Sequence, residues 1–496
     1  MRYIYFSAAC LLLMLPYTDA KAQDNVVKLT LKEAITLAQL QSVDATVALN
    51  ELKTAYWEYR THRADQLPEI NFEGILPAYD NKYSKDQREG GYTFLHTNSL
   101  GLNGKISIDQ NIAPTGGKIS LNTSLDFNRQ LGKGAYNEYM SIPVGITIIQ
   151  PIFGVNEHKW KRRIEPIRYK EAKAGYMESV ELVTIKTISH YFDLLHAKEY
   201  LTISVQNLNN ADKLYEIAVA KRKIGHISES ELMQLQLSAL QAKGTVTEAQ
   251  SLLNMYMFQL RSFLGLNEGD IIEPLQPELL PALRMDYQEV LDRALENNSF
   301  AKNILRQQME ADFEVAKAKG NRRNISLFAT IGYTGNETEL ERVYRHLGKN
   351  QVVEVGVKIP LLDWGKRKGQ VKVAESNREV VLSRTRQEQM NFNQNIFLLV
   401  ENFNNQAGQL DIAQQADVIA EKRYETAIET FMIGKINILD LNDAQNSKDN
   451  AKLKHIDELS KFWNYYYRIR NITLYDFINS RDLETDFEEI VQSHLN

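Results

Sequence analysis

The stretch Ile433–Gln445 reads IGKINILDLNDAQ, and Ile224–Gln236 reads IGHISESELMQLQ. Each sets a glycine, Gly434 or Gly225, inside a long helical pattern, and the two glycines lie 209 residues apart. At that offset Ala211, Lys213, Tyr215, Glu216, Ala218, Ile227, Leu232, Gln236, Ser238, Ala242 and Lys243 recur as Ala420, Lys422, Tyr424, Glu425, Ala427, Ile436, Leu441, Gln445, Ser447, Ala451 and Lys452. With the Ile-Gly pairs this makes thirteen identities in one ungapped window of 33 residues. Such a match marks a duplication, with the glycines at corresponding reversals of its halves.

Working outward, the apolar period alternates between that of helices and that of strands. Thr30 and Glu33 form a capping-box signature, so a helix is expected from Leu31 to about Leu67, ended by Pro68. The period then falls to two. Ile70, Phe72, Gly74 and Leu76 alternate with polar neighbours, as do Leu100, Leu102, Ile106 and Ile108. So do Ile119, Leu121, Leu125 and Phe127, and Ile142, Val144, Ile146 and Ile148. One apolar and one polar face per strand suits a barrel with lipid outside and water inside, and equally a soluble sheet with one wet face. From Asn156 a helical arm runs to Ile224, roughly 105 Å at 1.5 Å per residue. A return arm runs from His226 to Leu264 and stops at Gly265, before a connection holding Pro274, Pro277 and Pro281.

The cycle repeats. Tyr287 to about Lys319 matches the opening helix at an offset of 256, with Glu33, Ala38, Leu49, Ala55 and Phe72 recurring as Glu289, Ala294, Leu305, Ala311 and Phe328. Ile325–Tyr333 and Val353–Leu361 alternate as a strand pair, and long arms follow over Gly365–Ile433 and on to about Thr473. The two offsets differ by 47 residues, so the first strand region holds an extra hairpin, expected to turn at Thr115-Gly116-Gly117 near the end that carries Pro151. The domain plan is a signal segment at 1–22, a first repeat at 23–265 with strands over 68–151, a connection at 266–284, a second repeat at 285–475 with its hairpin over 325–362, and a tail at 476–496. Such a chain cannot close a barrel alone and calls for self-association about an axis.

Arg2, the apolar run to Leu15 and Ala20-Lys21-Ala22 read as an export signal cleaved near Gln23. Cys10 is the one cysteine; Ser7-Ala8-Ala9 before it imitates a lipidation box only loosely. No later segment approaches the ~18–20 apolar residues of a spanning helix, which leaves a closed β-barrel as the way across a membrane. The net charge of −5 is spread along the helices, so no nucleic-acid partner is expected. No HExxH, CxxC or GxSxG occurs, and no catalysis, cofactor or metal is expected.

VGITIIQPIF (Val144–Phe153), VGVKIPLLDWGKRKGQV (Val355–Val371) and the two glycine motifs together resemble the TolC family of outer-membrane efflux and secretion channels, over nearly the whole chain. The resemblance implies an α+β fold: a duplicated helix, β-hairpin and long helical hairpin, with a transmembrane barrel and a periplasmic α-helical tunnel completed in a homotrimer. It implies four barrel strands per protomer, from which the 47-residue surplus departs. The duct it implies is passive and takes energy from an inner-membrane pump reached through a periplasmic adaptor, with outer-membrane lipid around the barrel.

By position, Ile224, Gly225, His226, Ile433, Gly434 and Lys435 are the expected adaptor-docking tip, although the same turns also join helices that have no partner. Asp440 and Asp443, three apart on one helix face, match the family's pore aspartates and become six carboxylates in a trimer; they also suit a helix start for its dipole alone. Glu231 and Phe431 are the candidate gate contacts. Phe431 lacks the hydroxyl of the family latch, and the latch arginine falls at Ile436. Trp463, Tyr465, Tyr466 and Tyr467 suit a membrane interface or, preferably, packing among helix ends. The rival reading is a periplasmic adaptor, which carries one long hairpin rather than two.

Overall fold

In the computed structural model the chain is described over residues 25–493, apart from 89–90, 133, 224, 226, 268, 279–280, 282, 323, 359–361, 434 and 484. The expected signal segment and Cys10 lie outside the described residues. The order is β1 (Asn25–Leu29), α1 (Leu31–Gln41), α2 (Val43–Ala64), β2 (Glu69–Arg88), β3 (Gly91–Ile112), β4 (Gly117–Gln130), β5 (Tyr136–Pro151), α3 (Glu157–Lys223) and α4 (Glu229–Leu264). There follow β6 (Asp270–Pro274), α5 (Tyr287–Asn297), α6 (Ser299–Gly320), β7 (Asn324–Glu337), β8 (Leu347–Lys358), α7 (Lys366–Met432) and α8 (Ile438–Thr473). A tail of β9 (Tyr475–Asp476), β10 (Arg481–Asp482) and α9 (Phe487–Ser493) ends the described chain.

Local chemistry sets the helix ends. Thr30 caps α1 with the reciprocal Glu33 bond: Thr30 N–H donates to Glu33 Oε2 at 2.9 Å, and Glu33 N–H donates to Thr30 Oγ1 at 3.3 Å. The single opening helix expected from the sequence is two. Ser42 adopts an extended backbone, and its Oγ accepts the Ala45 N–H at 3.2 Å, starting α2 afresh. The same break recurs 256 residues on, where Asn298 is extended and accepts the Phe300 N–H at 2.8 Å. A buried side-chain acceptor competes with the helical ladder and wins at both places. Gly265 at φ 71 closes α4, and Leu266 N–H reaches back to the Arg261 carbonyl at 3.0 Å.

The residues fall into two packing units. One comprises residues up to Thr46, Val180–Arg284 and Asn402–Arg468. Here β1 and β6 form a parallel pair, Asn25 opposite Asp270 through Leu29 opposite Pro274, which periodicity did not announce because each strand is five residues long. Tyr191, fully buried on α3, ties them together. Its hydroxyl proton is shared between the Leu29 carbonyl (2.7 Å) and the Leu275 carbonyl (2.6 Å), and its oxygen accepts the Leu275 N–H at 2.9 Å. Burial raises its pKa to about 12, so it stays a donor at any physiological pH. On the other hairpin Phe403 of α7 stacks on Phe462 of α8 at 5.4 Å, and Tyr466 packs beside them. The buried Gln406 donates to Glu458 Oε2 at 2.6 Å and to its carbonyl at 3.0 Å. The aromatic run near the end of α8 is thus at least partly packing: Tyr466 is 2% exposed, and Trp463 stacks on Tyr467 at 6.1 Å.

The other unit comprises Val47–Ser179, Met285–Glu401 and the chain from Ile469 onward. Charged pairs bind its helices: Arg306 of α6 grips Glu171 of α3 at 2.6 and 3.1 Å, and Arg378 of α7 reaches Asp312 of α6 at 2.5 Å. Glu178 of α3 receives the Ser299 N–H at 2.6 Å and its hydroxyl at 2.8 Å.

The unit's sheet is antiparallel throughout, in the order β2-β3-β4-β5-β7-β8. Four strands precede α3 and two follow α6, so the surplus in the first repeat is a hairpin. Its turn lies beside the Pro151 end of β5. Gln150 Nε2 donates to the Thr115 carbonyl at 3.0 Å, and Asn156 Nδ2 donates to the Ala113 carbonyl at 2.7 Å. Gly116 sits at φ 75 with the Asn156 side chain 3.0 Å from where a Cβ would be, so no larger residue fits that turn. Pairing puts Ile108, Leu121, Ile146 and Ile331 on one face and Asn122, Ser107 and Gly145 on the other.

Tyr191→Phe removes three hydrogen bonds and takes the hydroxyl donor from the Leu275 carbonyl, while the Leu275 N–H keeps the Leu29 carbonyl at 3.1 Å, a loss of about 1–3 kcal/mol locally. Hydrogen exchange of amides in 25–29 and 270–275 is expected to quicken by one to two orders of magnitude; unchanged protection would show that Tyr191 does not hold the two strands.

Candidate functional site

Both reversals fall in the first packing unit. At the first, α3 ends in Lys221-Arg222-Lys223, cations that suit the negative end of the helix dipole. Gly225 takes φ 76, its N–H donates to the Arg222 carbonyl at 3.0 Å, and nothing lies within 4 Å of an added Cβ. The backbone is left-handed and open, as close approach by another chain requires. Ile224 and His226 lie outside the described residues. Arg222 bridges the turn to Glu229 at 3.0–3.1 Å.

At the second reversal Ile433 N–H donates to Glu429 O at 3.3 Å, and Lys435 N–H reaches back five residues to Thr430 O at 3.1 Å. That five-residue closure satisfies one of the carbonyls orphaned at the end of α7. Gly434 lies outside the described residues; Ile433 is 67% exposed and Lys435 is exposed.

The two return helices begin by one device. Ser228 Oγ accepts the Glu231 N–H at 3.1 Å while Glu231 Oε2 accepts the Ser228 N–H at 2.7 Å. At the same offset of 209, Asn437 Oδ1 accepts the Asp440 N–H at 2.9 Å, and Asp440 Oδ2 lies 3.4 Å from the Asn437 N–H. The Ser228 bonds hold the Glu231 carboxyl below its ordinary range. Glu231 and Asp440 are therefore the same part twice, each an acid that returns the cap's hydrogen bond.

Asp443 has a different partner. Arg423 of α7 donates to its Oδ2 at 2.5 Å and to Ser447 Oγ at 3.0 Å, with both charged side chains more than half exposed. Asp443 and Asp440 share a face of α8, but only Asp443 carries a bound cation among the described contacts. Sequence reasoning missed Arg423 because its partner is twenty residues on, across the reversal; the signal was its place beside Tyr424, one of the repeated residues. Tyr424 is buried against Leu441 and Ala444, and its hydroxyl accepts from Asn210 Nδ2 at 3.0 Å, so the reversal's first turns are locked to α3.

Glu231 and Phe431 line one groove of about 570 Å³, with Leu214, Ile217, Ile227 and Ile436. The Lys221 ammonium stands 5.7 Å from the centre of the Phe431 ring. The carboxylate of Glu231 is spent on Ser228, so the groove brings these two residues near one another without a hydrogen bond between them. Met233, Met432, Ile433 and Leu439 stay exposed around the reversals, an apolar surface of the kind partners cover.

Among the described residues no helix is long and apolar enough to cross a membrane, and no group of His, Cys, Asp and Glu is arranged to hold a metal.

The family model described as outer membrane efflux protein matches residues 290–471, nearly all of the second repeat. No curated protein sequence matches the chain. The solved CmeC outer membrane channel of Campylobacter jejuni superposes with a TM-score of 0.66 at 15% identity, over 93% of this chain and 88% of that one. VceC, an outer membrane protein of Vibrio cholerae, gives 0.64 at 14% identity over 89% and 95%. The MtrE outer membrane channel of Neisseria gonorrhoeae, solved in its open state, gives 0.58 at 13% over 92% and 91%. At these identities the structures speak for the fold, and the family model speaks for residues 290–471. Residues 290–471 thus match the outer membrane efflux protein family, and the chain as a whole carries the fold of these outer membrane channels.

Proposed function

We propose that the protein is a passive exit duct of the cell outer membrane, with a large periplasmic helical part, serving a tripartite efflux pump or a type I secretion system. The observation that carries this is the pairing of one antiparallel sheet with two long helical hairpins in a channel fold that extends over 93% of the chain. Relatives with this architecture are channels and not enzymes, and the duct is read as performing no chemistry of its own. A periplasmic adaptor would carry a single long hairpin; α3–α4 and α7–α8 are two, and the adaptor reading finds no support.

In this reading three copies assemble, and the reversals near Gly225 and Gly434 receive a periplasmic adaptor that links the duct to an inner-membrane pump. Exposed apolar residues and an open glycine backbone support docking there. Asp440 and Asp443 line a constriction. Because the Glu231 position has the same capping duty as Asp440, Asp443 is the carboxylate that helix capping leaves over, and Arg423 neutralises it. The Arg423–Asp443 pair then sets both the charge and the width of the aperture.

Purified protein in a planar bilayer is expected to give discrete conductance steps; a silent bilayer with correctly assembled protein would overturn the duct. Arg423→Gln is expected to raise cation-over-anion preference several-fold by freeing three carboxylates, and Asp443→Asn to lower it, as read from reversal potentials in a salt gradient. Equal selectivity in both variants would remove Asp443 from the constriction. A photo-cross-linker at position 225 or 434 is expected to capture an adaptor in whole cells, whereas one at Gly175 of α3 is not.

The Glu231 cap has a stated pH sign. Its carboxyl is depressed in the folded chain, so its contribution is present above the ordinary glutamate range and fades as pH falls through the depressed value. Amides at 228–232 are expected to lose exchange protection in that acid window, and Glu231→Ala is expected to lose it already at neutral pH. Identical protection in the variant would mean the box does not hold the turn.

A further inference from the structure

The six-stranded sheet ends in two open edges. β2 has a neighbour on one side only, β3, and β8 has only β7. Large apolar side chains along these edges are more exposed than those on the same face of the inner strands. Ile70 and Phe72 stand at 72% and 69% and Val353 and Val355 at 69% and 60%, against 39–56% for the row of Ile108, Leu121, Ile146 and Ile331 between them. An open edge within hydrocarbon leaves a row of unpaired N–H and C=O groups, which lipid cannot satisfy.

Direction, face and stagger all fit one partner. Every neighbouring pair is antiparallel, so β2 and β8 run in opposite senses, and β8 of one copy beside β2 of the next continues the alternation. Ile70 and Phe72 share the face of Ile108 and Ile106, and Val353 and Val355 share the face of Ala329 and Leu327, which is the same apolar face. The hydrogen-bonded row that starts at Glu69 passes through Asp109, Ser120, Thr147 and Thr330 and arrives at Val352, six residues before β8 ends at Lys358. Bringing the ends of β8 and the next β2 level uses that stagger of six residues over six strands. It corresponds to a strand tilt of ~35°, inside the range of closed membrane barrels.

We infer that β8 of each copy pairs with β2 of the next, with Phe72 opposite Val355, so that the trimer closes a barrel of eighteen strands. This rests on the trimeric-duct reading above and goes beyond it, because the family resemblance implies four strands per protomer and twelve in all. The added hairpin is then part of the wall rather than an ornament on it. At this tilt eighteen strands enclose a backbone cylinder ~34 Å across, against ~22 Å for twelve.

The alternative wall contains β4, β5, β7 and β8 alone, with β8 meeting β4 of the next copy and the β2–β3 hairpin set aside. Cysteine cross-linking separates the two, in a Cys10→Ser background that removes the chain's one cysteine. Phe72→Cys with Val355→Cys, treated with a short bismaleimide in outer-membrane vesicles, is expected to give covalent trimers. Leu121→Cys with Val355→Cys is expected to give none between copies. Asn71→Cys with Gly356→Cys, on the opposite face, replaces the first pair if that variant fails to assemble. Linkage through Leu121 in an assembled trimer would overturn the inference and leave the duct standing. Covalent products that stop at dimers would overturn eighteen strands as well. A protein that is monomeric by native mass and unlinked at every pair would overturn both.

Discussion

A strand surrounded by hydrocarbon can send its N–H and C=O groups only to another strand, and that constraint shapes everything around the sheet. In the duct proposed above, the crossing falls to β2–β5, β7 and β8, the strands of one continuous antiparallel sheet. Their alternation follows at once: a residue that faces lipid must be followed by one that faces water. The two halves share one sheet, because they contribute neighbouring strands, β5 from the first and β7 from the second. The turn of the extra hairpin, at 113–116, is held by the side chains of Gln150 and Asn156 at the strand end, while β5 keeps its backbone pairing with β7 through Gln150 and Pro151.

The helices obey a different rule, since water can satisfy their surfaces. The two helices of 67 residues carry charges of both signs yet bury apolar side chains along their length, among them Val183, Ile188 and Leu194 on α3 and Ile396, Val400 and Leu410 on α7. Phe403 on Phe462, Gln406 on Glu458, and Tyr424 with Asn210 are spaced along the first unit, and Glu171 with Arg306 serves the second. Tyr191 shows how much one side chain does in such a scheme: it serves two strand ends and a connection at once.

Most of the architecture was legible because period and offset are properties of the chain alone. The offsets of 209 and 256 gave the element order, and their difference called for the hairpin that β3 and β4 supply. The breaks at Ser42 and Asn298 were not legible, because a serine or asparagine inside a helical pattern declares itself only once its side chain has replaced a ladder bond. The short β1 and β6 escaped for lack of length. The tail strands β9 and β10 escaped for the same reason, being two residues each. Around the two reversals the sequence singled out Glu231, Phe431, Asp440 and Asp443 but not their bonds. Arg423, which pairs with Asp443, lies across a reversal where no local spacing points to it.

That gap changes what the acidic residues mean. A pair of aspartates three apart suggests one function for both, and the structure divides them. Asp440 corresponds to Glu231 at the offset of 209, and both answer a cap residue, Ser228 or Asn437, so an acid at this position is demanded by the start of a helix that follows a sharp turn. Such an acid would be present in a reversal that met no partner and lined no pore. Asp443 corresponds to Gln234, where the first repeat has no charge, and its carboxylate holds a cation from the opposite helix. Each repeat has an ion pair of its own, Arg423 with Asp443 in the second and Arg222 with Glu229 in the first. The two members of either pair stand on the two arms of a single hairpin, so whatever changes the spacing of those arms makes or breaks it.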